Sequence, residues 1–499
     1  MFLLIFLGIF YIPLPNSPSW VSIDNDYSTG GGFWDIDNNS YIDLVTSNGN
    51  DMALNRNGVY FNHNGELERI CSWRSADSGY FGHLYLGDVN NDGNFDLAVS
   101  YLGFGSISGK IRIYLNTGTG LNPLPYYKSR ENLHSFDCCL GDYDLDGDLD
   151  LAVSCGDAYN NIKEPARIFK NNNGVFDTLP SWVSLDSSPS DAIRFVDINN
   201  DGYLDLVSGH RRKINIYISN NGNIPERPTI SFSVVGWVIR MAVGDYNNDN
   251  YYDLAVACNG QLSGDRSRIL IYKNNFGSLD TIPQYTLLTN TRYSSVVAFG
   301  DLNGDGYLEL ACGGWWESAC IFENHLGSYS LTPEWSYNWG NNLVCENIMF
   351  GCIRNDHLVD TNEIIIGDGE RRLFNIKKIP IQKLNSVYIN GRQLNWQEFS
   401  FDYLTGYFSF SFTPQIGETI IINYTYSPFS DLGITNWDRS NGNLLFLNTT
   451  GSGVVLEDNN LNKRWLRVSG YYNIFGQKVN FLKKKGVYFV DNKKIVKIK

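Results

Sequence analysis

Six segments of the chain share one spacing of oxygen-bearing side chains, D-x-[DN]-x-[DN]-G-x-x-[DE] or a close variant. The first holds Asp35, Asp37, Asn39 and Asp43, the second Asp88, Asn90, Asp92 and Asp96, and the third Asp142, Asp144, Asp146 and Asp150. The fourth holds Asp197, Asn199, Asp201 and Asp205, the fifth Asp245, Asn247, Asp249 and Asp253, and the sixth Asp301, Asn303, Asp305 and Glu309. Alternate residues of a tight turn can point at one centre, and a hard cation such as Ca2+ takes roughly six to eight oxygen ligands. Gly147, at position 6 of the third segment, permits a positive φ there. Crowded carboxylates repel one another unless a cation lies among them. The expectation is therefore up to six structural Ca2+ sites. Turn formation alone accounts for one such loop, but poorly for six with the same ligand spacing.

The EF-hand loop starts in the same way but needs a bidentate Glu at position 12 and flanking helices. Position 12 here is Thr46, Val99, Val153, Ser208, Val256 or Cys312, inside strand-like runs such as DLAVS. The EF-hand is rejected. The sites are expected to differ in strength. The Asp142 loop is richest in carboxylates, while Ser40 and Asn250 replace the turn Gly in the first and fifth loops. A seventh copy, FGCIRNDH, has Cys352 and Arg354 at positions 1 and 3 and is expected to bind no calcium.

These loops recur with the chain's own period. Their first Asp residues are separated by 53, 54, 55, 48 and 56 positions. Each repeat also contains a run before the loop, a run ending in Asn (IRIYLN, ARIFKN, ILIYKN) and a run with an aromatic residue (CSWRS, PSWVS, PEWSY). Four short strands joined by Gly, Asn and Asp turns cannot bury both faces alone. Radial packing of such units gives a β-propeller. PSWVSID at 18–24 nearly duplicates PSWVSLD at 180–186, so the chain begins with the last strand of a unit. The segment 431–448 supplies two middle strands, and the two fragments are expected to share one blade and close the ring. Strands after the loops, at Asp43, Asp96, Asp150, Asp205, Asp253, Glu309, Glu363 and Asp431, count eight blades, with seven as the alternative. An alternating stretch over 380–428 reads as a small β insertion, or in part as the missing first strand of the last blade.

The loops and their spacing resemble the FG-GAP or VCBS repeat family, as in integrin α-subunit propellers, over about 18–378 and 429–450. The resemblance implies an all-β propeller whose D-x-D-x-D-G-x-x-D residues bind calcium between the first two strands of a blade. The FG dipeptide itself is only partly kept, as in Phe299-Gly300 and Phe350-Gly351. The end of the chain, with YNIFGQKV, KGVYFV and a Lys-rich terminus, is similar to a type IX secretion C-terminal sorting domain. That resemblance implies export and surface attachment or release.

The resulting organisation is a signal peptide at 1–15, a calcium-loop propeller at 16–379, the β insertion at 380–428, the closing blade at 429–455 and the sorting domain at 463–499. Residues 2–12 are apolar and end at Pro13, too short to span a bilayer. The net charge of −14 speaks against nucleic acid. Residues 463–499 carry a local charge of +10, which sets them apart from the rest. The nine Cys lie mostly in apolar runs with no C-x-x-C pair, and read as small buried residues rather than zinc ligands or disulfides. The six His are scattered, and no H-E-x-x-H, G-x-S-x-G or phosphate-loop motif occurs. The expected role is a secreted or cell-surface, monomeric adhesion, ligand-binding or scaffold protein with a protein or glycan ligand, no membrane span and no catalytic residues. The alternatives are a calcium-dependent polysaccharide lyase, which some eight-bladed propellers resemble, and a carbohydrate-binding protein using Trp315, Trp316, Trp335 or Trp339.

Overall fold

A computed structural model describes residues 12–287, 293–338, 343–438 and 440–450, with short strands at 471–472, 478–479, 486–490 and 494–498. The protein is an all-β propeller. Val, Ile, Leu and aromatic residues fill the strands, and Gly and Asn take most of the positive-φ turn positions between them. Four blades are separate four-stranded antiparallel sheets. They begin with Ser28–Trp34, Phe81–Gly87, Cys138–Gly141 and Ser294–Gly300. Two further blades share long strands in one six-stranded sheet. Within it, Asp205–Tyr217 first pairs with Ser190–Val196 and then, past Arg212 at φ 66°, with residues 230–233. The strand Ile230–Gly244 continues after Gly236 to pair with Asp253–Asn259 in the next blade.

The seventh blade corrects the count of eight. Its first strand is Cys345–Gly351, which pairs not with the strand at Glu363 but with Asp431–Asn436. Leu444–Phe446 follows, and Trp20–Val21 completes the sheet, with Trp20 opposite Leu445. The strand containing Glu363, Val359–Ile366, pairs instead with Thr419–Tyr426. The damaged seventh copy and the last unit are thus one blade, opened between its first and second strands. First strands touch in succession around the ring, and Ser28–Trp34 lies against both Phe81–Gly87 and Cys345–Gly351.

The insertion therefore begins after Gly351, not at 380, and its first strand is Val359–Ile366. It forms two small sheets, one with Val359–Ile366, Thr419–Tyr426, Ile381–Ile389 and Arg392–Gln393, the other with Leu373–Asn375, Tyr407–Phe410 and Phe399–Phe401. It covers the loop face of the ring. Trp34 stacks on Phe95 at 3.7 Å, and both meet Phe401 and Tyr403 of the insertion. Residues 12–15, assigned by sequence to a leader, pack within the fold. Ile12 and Leu14 are buried with Trp335 and Phe446, and Trp335 Nε1 donates to Pro15 O at 3.1 Å. The apolar run before Ile12 lies outside the described residues, as does most of the tail assigned to sorting. The C-terminal unit, Thr449–Lys499, contains two short hairpins, Tyr471–Tyr472 with Lys478–Val479 and Gly486–Val490 with Lys494–Ile498. All nine Cys are buried free thiols.

The ring is tied by two repeated devices. The Gly that precedes a loop Asp lets the next blade approach. A Cβ on Gly141 would lie 2.8 Å from the Phe195 ring and 3.0 Å from Leu204. The Asn after each third strand bridges blades, since its Nδ2 donates to the position-2 carbonyl of the preceding blade's loop. These bonds are Asn62 to Ile353, Asn116 to Ile36, Asn171 to Val89, Asn274 to Ile198, Asn324 to Tyr246 and Asn448 to Leu302. The fourth blade has Ser219 at this place. On the axis, Asp137 accepts from Arg194 Nη1 at 2.6 Å and from Arg240 Nη1. Arg240 Nη2 reaches Asn347 Oδ1 at 3.2 Å, and Asn347 donates to Gly31 O at 2.6 Å. Five blades thus meet through one polar bridge.

Candidate functional site

Each of the six loops joins the first two strands of its blade and is built alike. The position-1 carboxylate accepts the backbone N–H of positions 5 and 6. Asp88 takes Asp92 N at 3.0 Å and Gly93 N at 2.7 Å, and Asp197 takes Asp201 N at 3.1 Å and Gly202 N at 2.9 Å. Asp35, Asp142 and Asp245 repeat this pattern, while Asp301 accepts Gly304 N and Gly306 N. Position 6 has a positive φ throughout: 75° at Ser40, 89° at Gly93, 98° at Gly147, 90° at Gly202, 71° at Asn250 and 84° at Gly306. The position-5 side chain accepts the position-7 N–H, as in Asn39 to Tyr41, Asp146 to Asp148 and Asp305 to Tyr307.

Position 9 is buried in every loop and has a structural duty as well. Asp43 accepts Ile36 N at 2.8 Å and Asn62 N at 2.7 Å, tying the loop to the third strand. Asp96, Asp150, Asp205 and Asp253 do the same, and Glu309 accepts Leu302 N at 2.7 Å. The seventh blade retains the tie in Asp431, which accepts Ile353 N and Asn448 N, although the insertion now separates it from Cys352. At this seventh loop Arg354 pairs with Asp356 at 2.9 Å.

Three carboxylates gather closely in two of the loops. Carboxylate atoms of Asp35, Asp37 and Asp43 lie within 4.8 Å of one another, as do those of Asp142, Asp144 and Asp146. Asp150 is outside that second group. In the other four loops position 3 is Asn90, Asn199, Asn247 or Asn303, an amide oxygen instead of a carboxylate. Burial pushes the loop carboxyls up, against the pull of their backbone donors and with help from neighbouring acids. Asp43 and Asp253 rise to about 8, Asp88, Asp142, Asp205 and Asp301 to about 7, and Asp197 to about 6. Burial drives Asp96, Asp150 and Glu309 in the same direction.

The residues fit a hard cation. Two position-3 oxygens, Asn90 Oδ1 and Asp144 Oδ1, are buried with no hydrogen-bond partner among the described residues. Positions 1 and 5 use their backbone bonds to preform the loop while retaining further lone pairs. A divalent ion would supply the missing positive charge and take the orphaned oxygens.

The insertion touches most of these loops. Gln397 Nε2 donates to Asn91 O at 2.9 Å, Arg372 Nη1 to Leu145 O at 3.1 Å, Arg371 Nη2 to Asn200 O at 2.9 Å and Ser430 N to Asp301 O at 3.2 Å. Asp197 N donates to the Tyr407 hydroxyl at 3.0 Å. Between the fourth and fifth loops and the insertion lies a cavity of about 150 Å³, lined by Asp197, Asn250, Tyr252, Arg371, Phe374 and Tyr407, among others.

A family model described as FG-GAP-like repeat matches residues 197–256 and 253–312. These segments run from the fourth loop to the strand after the sixth. The chain is a β-propeller carrying FG-GAP-like repeats. Solved structures with a similar fold include BBS1N in complex with ARL6DN, at 11% identity and TM-score 0.47, covering 70% of this chain and 93% of that one. Sqt1 of Saccharomyces cerevisiae matches at 10% identity and TM-score 0.44, covering 87% and 99%. The Cps50 (Swd1) β-propeller domain of Myceliophteria thermophila matches at 11% and 0.42, covering 67% and 93%. No curated protein shows significant sequence similarity to the chain. No helix among the described residues is long and apolar enough to cross a membrane.

Two side chains that reach the loops escaped the sequence reading, Lys170 and Glu323. Both precede the bridging Asn of a third strand, where the other blades place Phe61, Leu115, Ile218, Lys273 and Leu447. Alignment of the third-strand runs would have exposed them, with Lys273, as charged departures from an otherwise apolar position.

Proposed function

We propose that the protein is a secreted or cell-surface propeller whose loops hold structural Ca2+ and whose role is to bind a protein or glycan ligand. The observation that carries this reading is the pair of buried, unpartnered position-3 oxygens within loops whose carboxylates burial has pushed up. Bound Ca2+ neutralises those carboxylates and stiffens the strand connections. The loop residues would hold it, among them Asp88, Asn90 and Asp92 or Asp142, Asp144 and Asp146, and the position-9 carboxylates fix the loops to the third strands. The Asp137, Arg194 and Arg240 side chains are spent on one another, and the Tyr85 hydroxyl donates to Asp402 at 2.8 Å.

The test is calcium uptake by the chelator-stripped chain, followed by protein and glycan arrays with and without calcium. Uptake with calcium-dependent retention of a ligand supports the reading, and stripped protein that takes up no calcium removes it. Secretion is tested by fractionating the producing cells.

A second reading draws on the cavity beside Asp197. Arg371 there offers a cation next to a candidate calcium loop, the combination an enzyme acting on uronate polymers uses to hold a carboxylate. New absorbance from an unsaturated product, lost in Arg371→Ala, would favour it.

A further inference from the structure

The six loops look alike in sequence but stand in different electrostatic surroundings, and one position creates much of the difference. It is the residue just before the bridging Asn, at the end of the third strand. In the third blade Lys170 Nζ pairs with Asp144 Oδ2 and lies 3.0 Å from Asp146 Oδ2. An ammonium thus already joins two of the carboxylates in the loop richest in them. In the fifth blade Lys273 Nζ lies 3.6 Å from Asp249 Oδ2.

The sixth blade has the opposite charge. Glu323 is only 2% exposed. Its Oε1 accepts from Asn303 Nδ2 at 3.3 Å, and the same amide donates to Glu309 Oε1 at 3.1 Å. Glu323 is therefore aimed at position 3 of its loop, and shares the Asn303 amide with the position-9 carboxylate. Its second oxygen, Oε2, is buried without a hydrogen-bond partner among the described residues. Leaving a buried carboxylate oxygen unpaired is costly. Lys378 approaches the other end of this loop, at Gly306, where its charge pulls against the burial that raises the Asp301 carboxyl.

We propose that this strand-end position grades the loops as cation sites. Glu323 is a further carboxylate ligand that makes the sixth loop the tightest Ca2+ site, and Lys170 is a tethered counter-ion that makes the third loop a weak one. The inference rests on the reading of the loops as calcium sites. Its physical basis is charge count. A divalent ion gains from each additional carboxylate and must displace any ammonium already bridging its ligands. The ranking reverses the one suggested by counting acids along the sequence.

The experiment is calorimetric titration of the chelator-stripped full chain with Ca2+, alongside melting midpoints with and without the ion. Glu323→Gln should weaken the tightest binding step by on the order of tenfold and leave the weaker steps in place. Its midpoint without calcium should be unchanged or higher, because a buried unpaired charge has gone, while the rise on adding calcium shrinks. Lys170→Gln should tighten one weak step by a comparable factor. A tightest step that survives Glu323→Gln, or weak steps that ignore Lys170→Gln, would overturn the proposal. Glu323→Asp, which keeps the charge but shortens its reach, serves if the Gln variant does not fold, and should also weaken the tightest step. A parent chain that takes up no calcium refutes the calcium reading itself, a result distinct from uptake that is indifferent to both substitutions.

Discussion

Chelation and acidification act on the same carboxylates, and the loop burial sets the sign of their combined effect. Asp205 is fully buried, with its carboxyl held up to about 7, against about 3.9 in an unfolded chain. A raised carboxyl adds stability below its unfolded pKa and loses that contribution as pH rises through the folded value. Between about pH 8 and about pH 5.5 the folded state takes up the proton while the unfolded state stays ionised. The calcium-free protein should gain about 2 kcal/mol from this group alone. Asp43, Asp88, Asp142, Asp253 and Asp301 act in the same direction. Buried His210 opposes them. Burial holds its pKa down to about 4, so its stabilising contribution falls by about 1.4 kcal/mol as the unfolded imidazole protonates towards about pH 5.5. Raised carboxyls in all six loops outweigh it. With calcium bound the loop carboxylates stay ionised, and only buried groups outside those loops still respond: Asp191, raised to about 8, and Asp431, raised to about 7, against the buried imidazoles of His210 and His83, both held down. Urea midpoints of stripped protein should therefore rise on acidification, whereas those in saturating calcium should rise by distinctly less. Stripped protein that loses stability on acidification, or calcium samples that follow the stripped ones, would refute the reasoning.

Four structural predictions follow from the ring itself. Gly300→Ala drives a Cβ into the Phe350 ring of the next blade and should lower the urea midpoint by an amount equivalent to about 1–3 kcal/mol. Asn274→Ala strips a donor from Ile198 O and Tyr252 O, both buried, and should cost about 1–3 kcal/mol by the same assay. Asp137→Ala leaves Arg194 and Arg240 without their shared buried carboxylate and should cost about 3–5 kcal/mol. Trp20→Ala removes the indole bond to Leu67 O at 3.0 Å and the edge contact with Tyr60. It should loosen the ring closure, visible as faster proteolysis near 444–446 relative to the parent.

What the sequence disclosed was local. The Asp, Asn and Gly spacing carries the turn geometry within nine residues, so the φ > 0 position at Gly147 and the Asp142 to Gly147 bond follow from the motif. The blade count failed for a reason of range. Cys345–Gly351 and Asp431–Asn436 are partners separated by the whole insertion, and the apolar run of Val359–Ile366 imitates a blade strand closely enough to be counted as one. Lys170 and Glu323 were passed over because each lies about 20 residues beyond the loop it meets, within a strand that reads as packing. The axial bridge from Asp137 to Arg194, Arg240 and Asn347 spans four repeats and has no local signature.

The bridging amides also mark where the ring would part. Six seams are laced by an Asn side chain reaching into the neighbouring blade, but Ser219 is too short for that stitch, and its hydroxyl is buried with no partner among the described residues. The third and fourth blades rely instead on apolar contact, the Arg194 to Asp137 charge pair near the axis, the Asp186 pairs with Lys213 and Asn215, and backbone bonds such as Ser190 N to Cys155 O. A ring fastened this way has a preset breathing point. Backbone amides beside Ser219 should exchange with solvent before those of any other seam, and the molecule can widen there without undoing its clasp.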